Sequence, residues 1–493
     1  MKNIFTYIVI VALVGLIYFP SLSHMPRSDH LNYLADIATY QSLPDLIAHT
    51  YHLDQQRHFT VRSPYLFRPL LFIFLACEKY FFGYRFEWWQ ATGIILHLVV
   101  SFLMITILSR IKPGYGVTLF SVYFAVMFTN TEMVTWQHIN GYMFAVMGEL
   151  LILRVIYNVL QQKNLNQKQF LLLAAAQCIA SFTFEVTNIF GLWMICFLFL
   201  FGPKDQNRKK AVFSLLIPLL LYVMCYLIIV QPAMPHFASI NPNHNMTVVN
   251  MTLYSTTAVL WWIVSAFIVG GPYYYIPKHR LIVYFTSDFF SQLSYWSIWF
   301  SVLAAISVLI LAVLWFANGR QKPKPIHQFQ ILIVGLIILF AVSIACVRLL
   351  PRSIKYLVDN FYYNYFFWAF FIILIYSFLA NALDRKIVRL GLITIFSVLI
   401  ILNAFFTFII NFTRANIFRE SYWLVKRIEK KLAAHKHDPD FTLKEEDFKL
   451  GNYPVHWAPR TYGTTDADQN NEEKGTNYSF IELLYYPHIG VKK

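Results

Sequence analysis

Three carboxylates, far apart in the chain, share one setting: each lies in a short polar stretch beside long apolar runs. Asp29 follows the first run, Glu132 sits in the turn 131–138, and Glu185 separates the runs 170–184 and 186–202. His30, Trp136 and His138 occupy the same stretches. Ionisable groups near membrane depth are costly to keep, so they ask for a reason. A carboxylate there can act as general base towards a hydroxyl, or two can hold a divalent cation; the residues require no metal and leave that point open. The competing role for each acid is to cap a helix end or meet solvent. A second group is basic: Arg348, Arg352 and Lys355, with Arg68 and Arg85 as further candidates. Such cations bind phosphate, Arg in a bidentate manner, or else snorkel to lipid headgroups.

The elements that must position these groups follow from composition. Of 493 residues, 58% are hydrophobic and 13% charged, half the charge of an ordinary soluble chain, which leaves a polytopic membrane protein. The net charge of +15 is no nucleic-acid signal, because the tail 412–493 is nearly balanced and the excess falls in short loops between apolar runs. The five cysteines form neither a disulfide framework nor a metal spacing.

Apolar runs at 3–20, 86–109, 114–130, 139–160, 170–184, 186–202, 211–231, 294–317, 329–349, 362–381 and 390–411 predict eleven crossings. The first lacks a small-residue cleavage site and reads as a retained span. With the N-terminus inside, the inner segments carry fifteen Lys and Arg, while the turns 131–138 and 185–190 and the loop 232–253 carry none. The tail is then outside, as a small cap. The stretch 66–83, interrupted by Arg68, Glu78 and Lys79, predicts an interfacial helix within the outer loop 21–85. The stretch 253–272, within the outer segment 232–293, predicts a helix lying at the outer surface in preference to a hairpin.

The remaining polar residues read as structural. Glu149 and Arg154 pair with each other or with neighbouring helices, and His97 bonds across helices. His435, His437 and Asp438 form a solvated stretch, and the clusters Tyr273-Tyr274-Tyr275 and Tyr362-Tyr363 suit interfacial belts. Sequons at Asn245, Asn250, Asn411 and Asn477 matter only in a eukaryotic lumen.

Several of these pieces together resemble the GT-C superfamily of membrane glycosyltransferases. Asp29-His30 stands where that group carries an acidic pair in its first outer loop. Arg68-Pro69-Leu70, Phe82-Gly83 and His97 are similar in order and spacing to a run in its bacterial members and in the tetratricopeptide-carrying O-mannosyltransferases. Glu132-Met133-Val134-Thr135-Trp136 resembles the turn after their third span, and Glu185 stands at the place of their Lys-Glu pair. The match covers about residues 1–200, and the rest agrees only in span layout. The sequence departs at His30, at Phe184, and at Asp359-Asn360-Phe361, and no tetratricopeptide repeat follows.

The resemblance implies an all-α, GT-C-like domain over 1–411 and an extracytoplasmic C-terminal region over 412–493. It implies a polyprenyl-phosphate-linked sugar as donor and a hydroxyl-bearing glycan, lipid or protein as acceptor, with no nucleic acid involved. Asp29 would deprotonate the acceptor hydroxyl as it attacks the anomeric carbon, with inversion. Arg352, Lys355, Arg348 or Arg68 would stabilise the leaving lipid phosphate. Glu132, Glu185 or His30 would orient the acceptor, or a cation, and Trp136 would stack on the sugar. A flippase for a lipid-linked saccharide would use the same groove without a base, and a membrane scaffold would leave the acids scattered. Short inner loops favour a bacterial inner membrane.

Overall fold

Apolar runs of about 20 residues need intrahelical hydrogen bonds to cross a hydrocarbon layer, and the chain meets that need with helices. The computed structural model describes residues 2–25, 34, 42–48, 67–163, 165–229, 248–267, 325–345, 362–438, 441–450 and 453–454. Among them the only strands are the two-residue pair Lys449–Leu450 and Tyr453–Pro454. The helices are α1 (Lys2–Tyr18), α2 (Pro69–Phe82), α3 (Phe86–Ile111), α4 (Tyr115–Val126), α5 (Thr131–Thr135), α6 (Met143–Leu160) and α7 (Gln167–Thr183). They continue with α8 (Val186–Phe201), α9 (Gln206–Ile229), α10 (Val248–Phe267), α11 (Pro325–Ile344), α12 (Tyr362–Leu379) and α13 (Lys386–Ala434).

Among the described residues seven helices are long and apolar enough to cross a membrane, and eight when the bent pair α4 and Phe128–Thr135 counts as one span. Large apolar side chains such as Ile8, Leu16, Phe199, Phe213, Ile217 and Ile401 face outward, as a lipid-facing surface requires. The chain is a multi-pass helical membrane protein. The expected count of eleven differs for identifiable reasons. The run 294–317 lies outside the described residues, α8 is apolar but has only 16 residues, and α7 has 17 with a polar first turn.

Successive helices alternate between two ends of the bundle. At one end Lys112 pairs with Asp384 at 2.6 Å, Gln328 donates to the Phe201 carbonyl at 2.7 Å and Asn207 to the Lys163 carbonyl at 3.3 Å. This basic end gathers those of the loop cations counted above that lie among the described residues. The opposite end carries Glu132, Glu185 and Arg68.

α2 starts at Pro69, whose fixed φ suits a first helical position, and closes at Gly83 with φ +56°, a conformation open to glycine. Its 14 residues span about 21 Å, too short to cross. α10 buries Trp261 and Trp262, with Trp262 stacked on Phe340 at 5.1 Å and its carbonyl accepting from Trp368 at 2.9 Å. The helix expected over 253–272 thus packs on α11 and α12. α13 runs unbroken for 49 residues, about 74 Å, so the expected boundary at 411/412 falls inside it. Its far part returns to the bundle through a Lys426–Glu87 ion pair, and Lys431 bonds Asp447 at 2.5 Å. Lys431 and the backbone amide of Lys444 outweigh burial and hold the Asp447 carboxyl below its ordinary range.

Three further expectations meet a different outcome. No ion pair joins Glu149 to Arg154: five residues apart on α6, they do not share a helix face, and among the described residues the Glu149 carboxylate has no hydrogen-bond partner. Asn411 is buried in α13, its amide donating to the Ile17 carbonyl, so it is no glycosylation acceptor. Tyr362 and Tyr363 are buried inside the bundle rather than spread along an interfacial belt.

Candidate functional site

The turn that presents Glu132 exists because a span breaks. After α4 the backbone extends at Met127 and resumes as a 3-10 turn, Phe128–Asn130, and α5, with a 49° bend. A break at this depth frees carbonyls and an amide that lipid cannot satisfy. Buried side chains take them up. His97 Nε2 donates to the Ala125 carbonyl at 2.9 Å, Asn130 to Phe124 at 2.7 Å and Thr407 to Val126 at 3.2 Å. Asn403 Oδ1 accepts the Phe128 amide at 3.1 Å. Because His97 donates from Nε2, its Nδ1 accepts from the Tyr365 hydroxyl at 2.8 Å, bonding across helices as expected. Below the turn, Gly93 of α3 lies so close that an added Cβ would clash with the Val134 carbonyl. Gln90 donates to the Thr135 carbonyl at 3.0 Å.

Glu132 is buried, and its Oε2 accepts the backbone amide of Tyr362 at 3.1 Å, at the N-terminus of α12. A carboxylate there meets the positive end of the helix. The Tyr362 ring lies 6.0 Å from the Trp136 ring and 6.3 Å from that of Tyr142, and its hydroxyl donates to Tyr363 at 2.9 Å. Trp136 also meets His138 edge-on at 5.6 Å.

Tyr142 leads to the second acid. Arg68 is held out of the helix by Pro69 after it, and its guanidinium forks onto Glu185: Nε reaches Oε2 at 2.5 Å, Nη2 reaches Oε1, and Nη1 bonds the Tyr142 hydroxyl. The rings of Tyr142 and Phe184 flank the cation at 5.2 and 5.3 Å. Arg68 is 4% exposed and Glu185 19%. Glu185 sits at the break between α7 and α8, where a carboxylate again meets a helix N-terminus.

Two of the three expected acids therefore belong to one cluster, joined through Tyr142 and Tyr362, with Trp136 on its flank. Arg68, expected at a phosphate, is ion-paired with Glu185. Asp29, His30, Arg348, Arg352 and Lys355 lie outside the described residues. No group of three or more His, Cys, Asp and Glu side chains suited to a metal occurs among the described residues. His435, the first of the tail pair, stacks on Phe441 at 4.0 Å. Tyr142, Tyr362 and Arg414, whose Nη1 lies 3.5 Å from Thr135 Oγ1 in the turn that carries Glu132, were not legible as site residues. The tyrosines look like membrane-belt aromatics, and Arg414 is hidden among the mixed charges of the tail.

On the flank of this end, α2 buries Glu78 beside Asn140, and burial raises its carboxyl well above the ordinary range, against a smaller lowering by the Asn140 amide. Burial lowers the neighbouring Lys79 to about 8, and its ammonium rests 3.4 Å from the Tyr84 ring centroid.

No protein-family model matches the chain, and no curated protein matches it either. Among solved structures it is similar to the crystal structure of ArnT from Cupriavidus metallidurans bound to undecaprenyl phosphate. The two share 13% identity with a TM-score of 0.42, over 88% of this chain and 81% of that one.

Proposed function

We propose that this protein is a membrane glycosyltransferase of the GT-C type, moving a sugar from a polyprenyl-phosphate donor to an acceptor hydroxyl on the side of the membrane opposite its basic loops. The observation that carries the reading is the buried cluster Arg68–Glu185–Tyr142–Tyr362–Glu132, with Trp136 on its flank, at that end of the bundle. Fixed donors and carboxylates in a water-poor setting suit charge that moves from an acceptor oxygen to a lipid phosphate. In this reading Asp29, following α1, takes the acceptor proton, and the anomeric carbon is attacked with inversion. Glu132 and His30 orient the acceptor, or a divalent cation where one is used. Glu185 aims Arg68, and Arg348, Arg352 and Lys355 stabilise the leaving phosphate with it. Trp136 offers the sugar an apolar face. The setting is a bacterial inner membrane.

The test is transfer from a panel of radiolabelled polyprenyl-phosphate sugars in proteoliposomes. Asp29→Asn should abolish transfer with donor binding retained, as removal of a base requires. Glu132→Gln should lower it by about 10²-fold, the scale for losing one catalytic group. Transfer unchanged in Asp29→Asn removes the base assignment, and absence of transfer from every donor removes the transferase.

A second reading, a translocator of lipid-linked saccharide, is favoured by Glu149, a buried carboxyl within the span α6. It predicts flipping of a fluorescent lipid-linked sugar that Glu149→Gln slows. Glu149→Gln acting on neither flipping nor transfer leaves that residue structural.

A further inference from the structure

The inner face of α2 carries a carboxylate that the cluster does not use. Leu71, Leu75 and Glu78 recur at helical spacing on that face, and all three are buried. Gly141, in the turn Asn140–Tyr142, lies so close to this helix that an added Cβ would clash with Leu71 and crowd Phe74. This packing sets Asn140 beside Glu78. Glu78 is 3% exposed and Asn140 fully buried. Neither carboxylate oxygen of Glu78 and neither amide atom of Asn140 has a hydrogen-bond partner among the described residues. The neighbouring cation, Lys79, turns instead to the Tyr84 ring and the charge of Glu429. From α3, Gly93 stands so that an added Cβ would lie 3.5 Å from the Asn140 amide nitrogen. Gln90, three residues earlier on the same face, is fully buried; its nitrogen serves the Thr135 carbonyl and its oxygen has no partner among the described residues. The unpartnered atoms of these three side chains are therefore four oxygens and one amide nitrogen.

We infer that Glu78, Asn140 and Gln90 form a binding site for a monovalent alkali cation, which braces the turn that presents Glu132. A surplus of buried oxygens over donors is what a hard cation satisfies, since carboxylate and carbonyl oxygens are its preferred ligands and it takes several at once. A proton satisfies one or two of the four. The single carboxylate sets the charge: a monovalent ion leaves the site neutral, whereas a divalent one leaves a net positive charge buried. The connection to the turn is short. The backbone amide of Asn140 donates to the Trp136 carbonyl at 3.1 Å, and that of Trp136 to the Glu132 carbonyl at 2.9 Å, so whatever holds Asn140 steadies the chain back to Glu132. Gln90 grips the same turn at Thr135. Such a site is independent of sugar transfer.

The experiment measures the ion directly. The purified full-length chain in phosphatidylcholine nanodiscs, in choline chloride, is titrated with radiolabelled sodium and, separately, with rubidium as a mimic of potassium. Hydrogen exchange is followed at residues 131–142. Wild type should bind one of the two saturably, and that ion should slow exchange across the turn. Glu78→Gln, neutral and of the same shape, should lose both the saturable binding and the ion-dependent protection. Its thermal midpoint in choline should equal or exceed that of wild type, because a buried charge has been removed, so loss of binding is not loss of the fold. Asn140→Ala gives up an ion ligand but no side-chain hydrogen bond, and should weaken binding by about ten- to a hundredfold, the scale of one charge-assisted contact. Saturable binding of neither ion in wild type, or binding retained in Glu78→Gln, overturns the proposal. Exchange that responds to pH and to neither ion would give Glu78 a proton in place of a cation. Displacement of the labelled ion by calcium at far lower concentration would make the site divalent and overturn the charge match. Binding without protection at residues 131–142 would overturn the bracing of the turn.

Discussion

Each acid of the cluster serves the fold as well as any chemistry. Glu132 accepts the first amide of α12, and Glu185 neutralises a buried guanidinium. The capping role that competes with catalysis in the sequence is thus present, and a loss of activity in an acid variant must be read against stability. For Arg68–Glu185 the two separate in a mutant cycle. Glu185→Gln leaves Arg68 buried with a neutral partner and should cost on the order of 3 kcal/mol, at the low end for a buried pair because Glu185 keeps some exposure. The double variant Arg68→Met/Glu185→Leu removes both charges and should unfold, in detergent, at a temperature closer to wild type than Glu185→Gln does. Equal destabilisation of the single and double variants would show that the pair is not coupled in this way. The residue types Arg68, Glu132 and Glu185 were legible because charge is rare in an apolar chain. Tyr142 and Tyr362 were not, because an aromatic residue at a membrane interface needs no further reason, and only the fold brings the two tyrosines between the two acids.

At the scale of elements, what positions the site is a defect in a helix. The run 114–130 reads as one short span, and nothing local in it marks the extended backbone at Met127. The signals were elsewhere: His97, Asn403 and Thr407 are polar residues inside distant apolar runs, and each supplies the break with a hydrogen bond. Asn403→Leu should therefore act at the break although it lies on α13. It strands the Phe128 amide and the cost should be about 1–3 kcal/mol, seen as a lower thermal midpoint with faster hydrogen exchange at residues 127–131. Exchange that speeds only around residue 403 would mean that the bond does not hold the turn. The same view explains α13. Its apolar first part ends at a boundary visible in composition, but helix propagation carries the backbone past it. The charges after Asn411 therefore include Arg414, buried beside Thr135, as well as Lys426, paired with Glu87 of α3, and Lys431, paired with Asp447.

For the whole molecule, the helices alternate so that basic loops gather at one end and the cluster at the other, a polarity that hydropathy and loop charge predicted together. The described structure fixes which residues share an end, and orientation in a bilayer then follows from charge. The end with Arg110, Lys112, Lys163, Lys168 and Arg208–Lys210 should face the cytoplasm. The far part of α13 and its exposed Trp423 should then be extracytoplasmic. Cysteine labelling settles it. In a variant with the native cysteines replaced, Trp423→Cys should react with a membrane-impermeant maleimide in intact cells, whereas Asn207→Cys, next to Lys163 at the basic end, should react only after permeabilisation. The reverse pattern would place the cluster in the cytoplasm, where donor and acceptor would have to be found on the inner leaflet. Labelling of both positions in intact cells would show mixed insertion. Because the cluster, the Asn411–Arg414 junction and the exit of α1 all share the end with Trp423, one such measurement assigns a compartment to the entire candidate site.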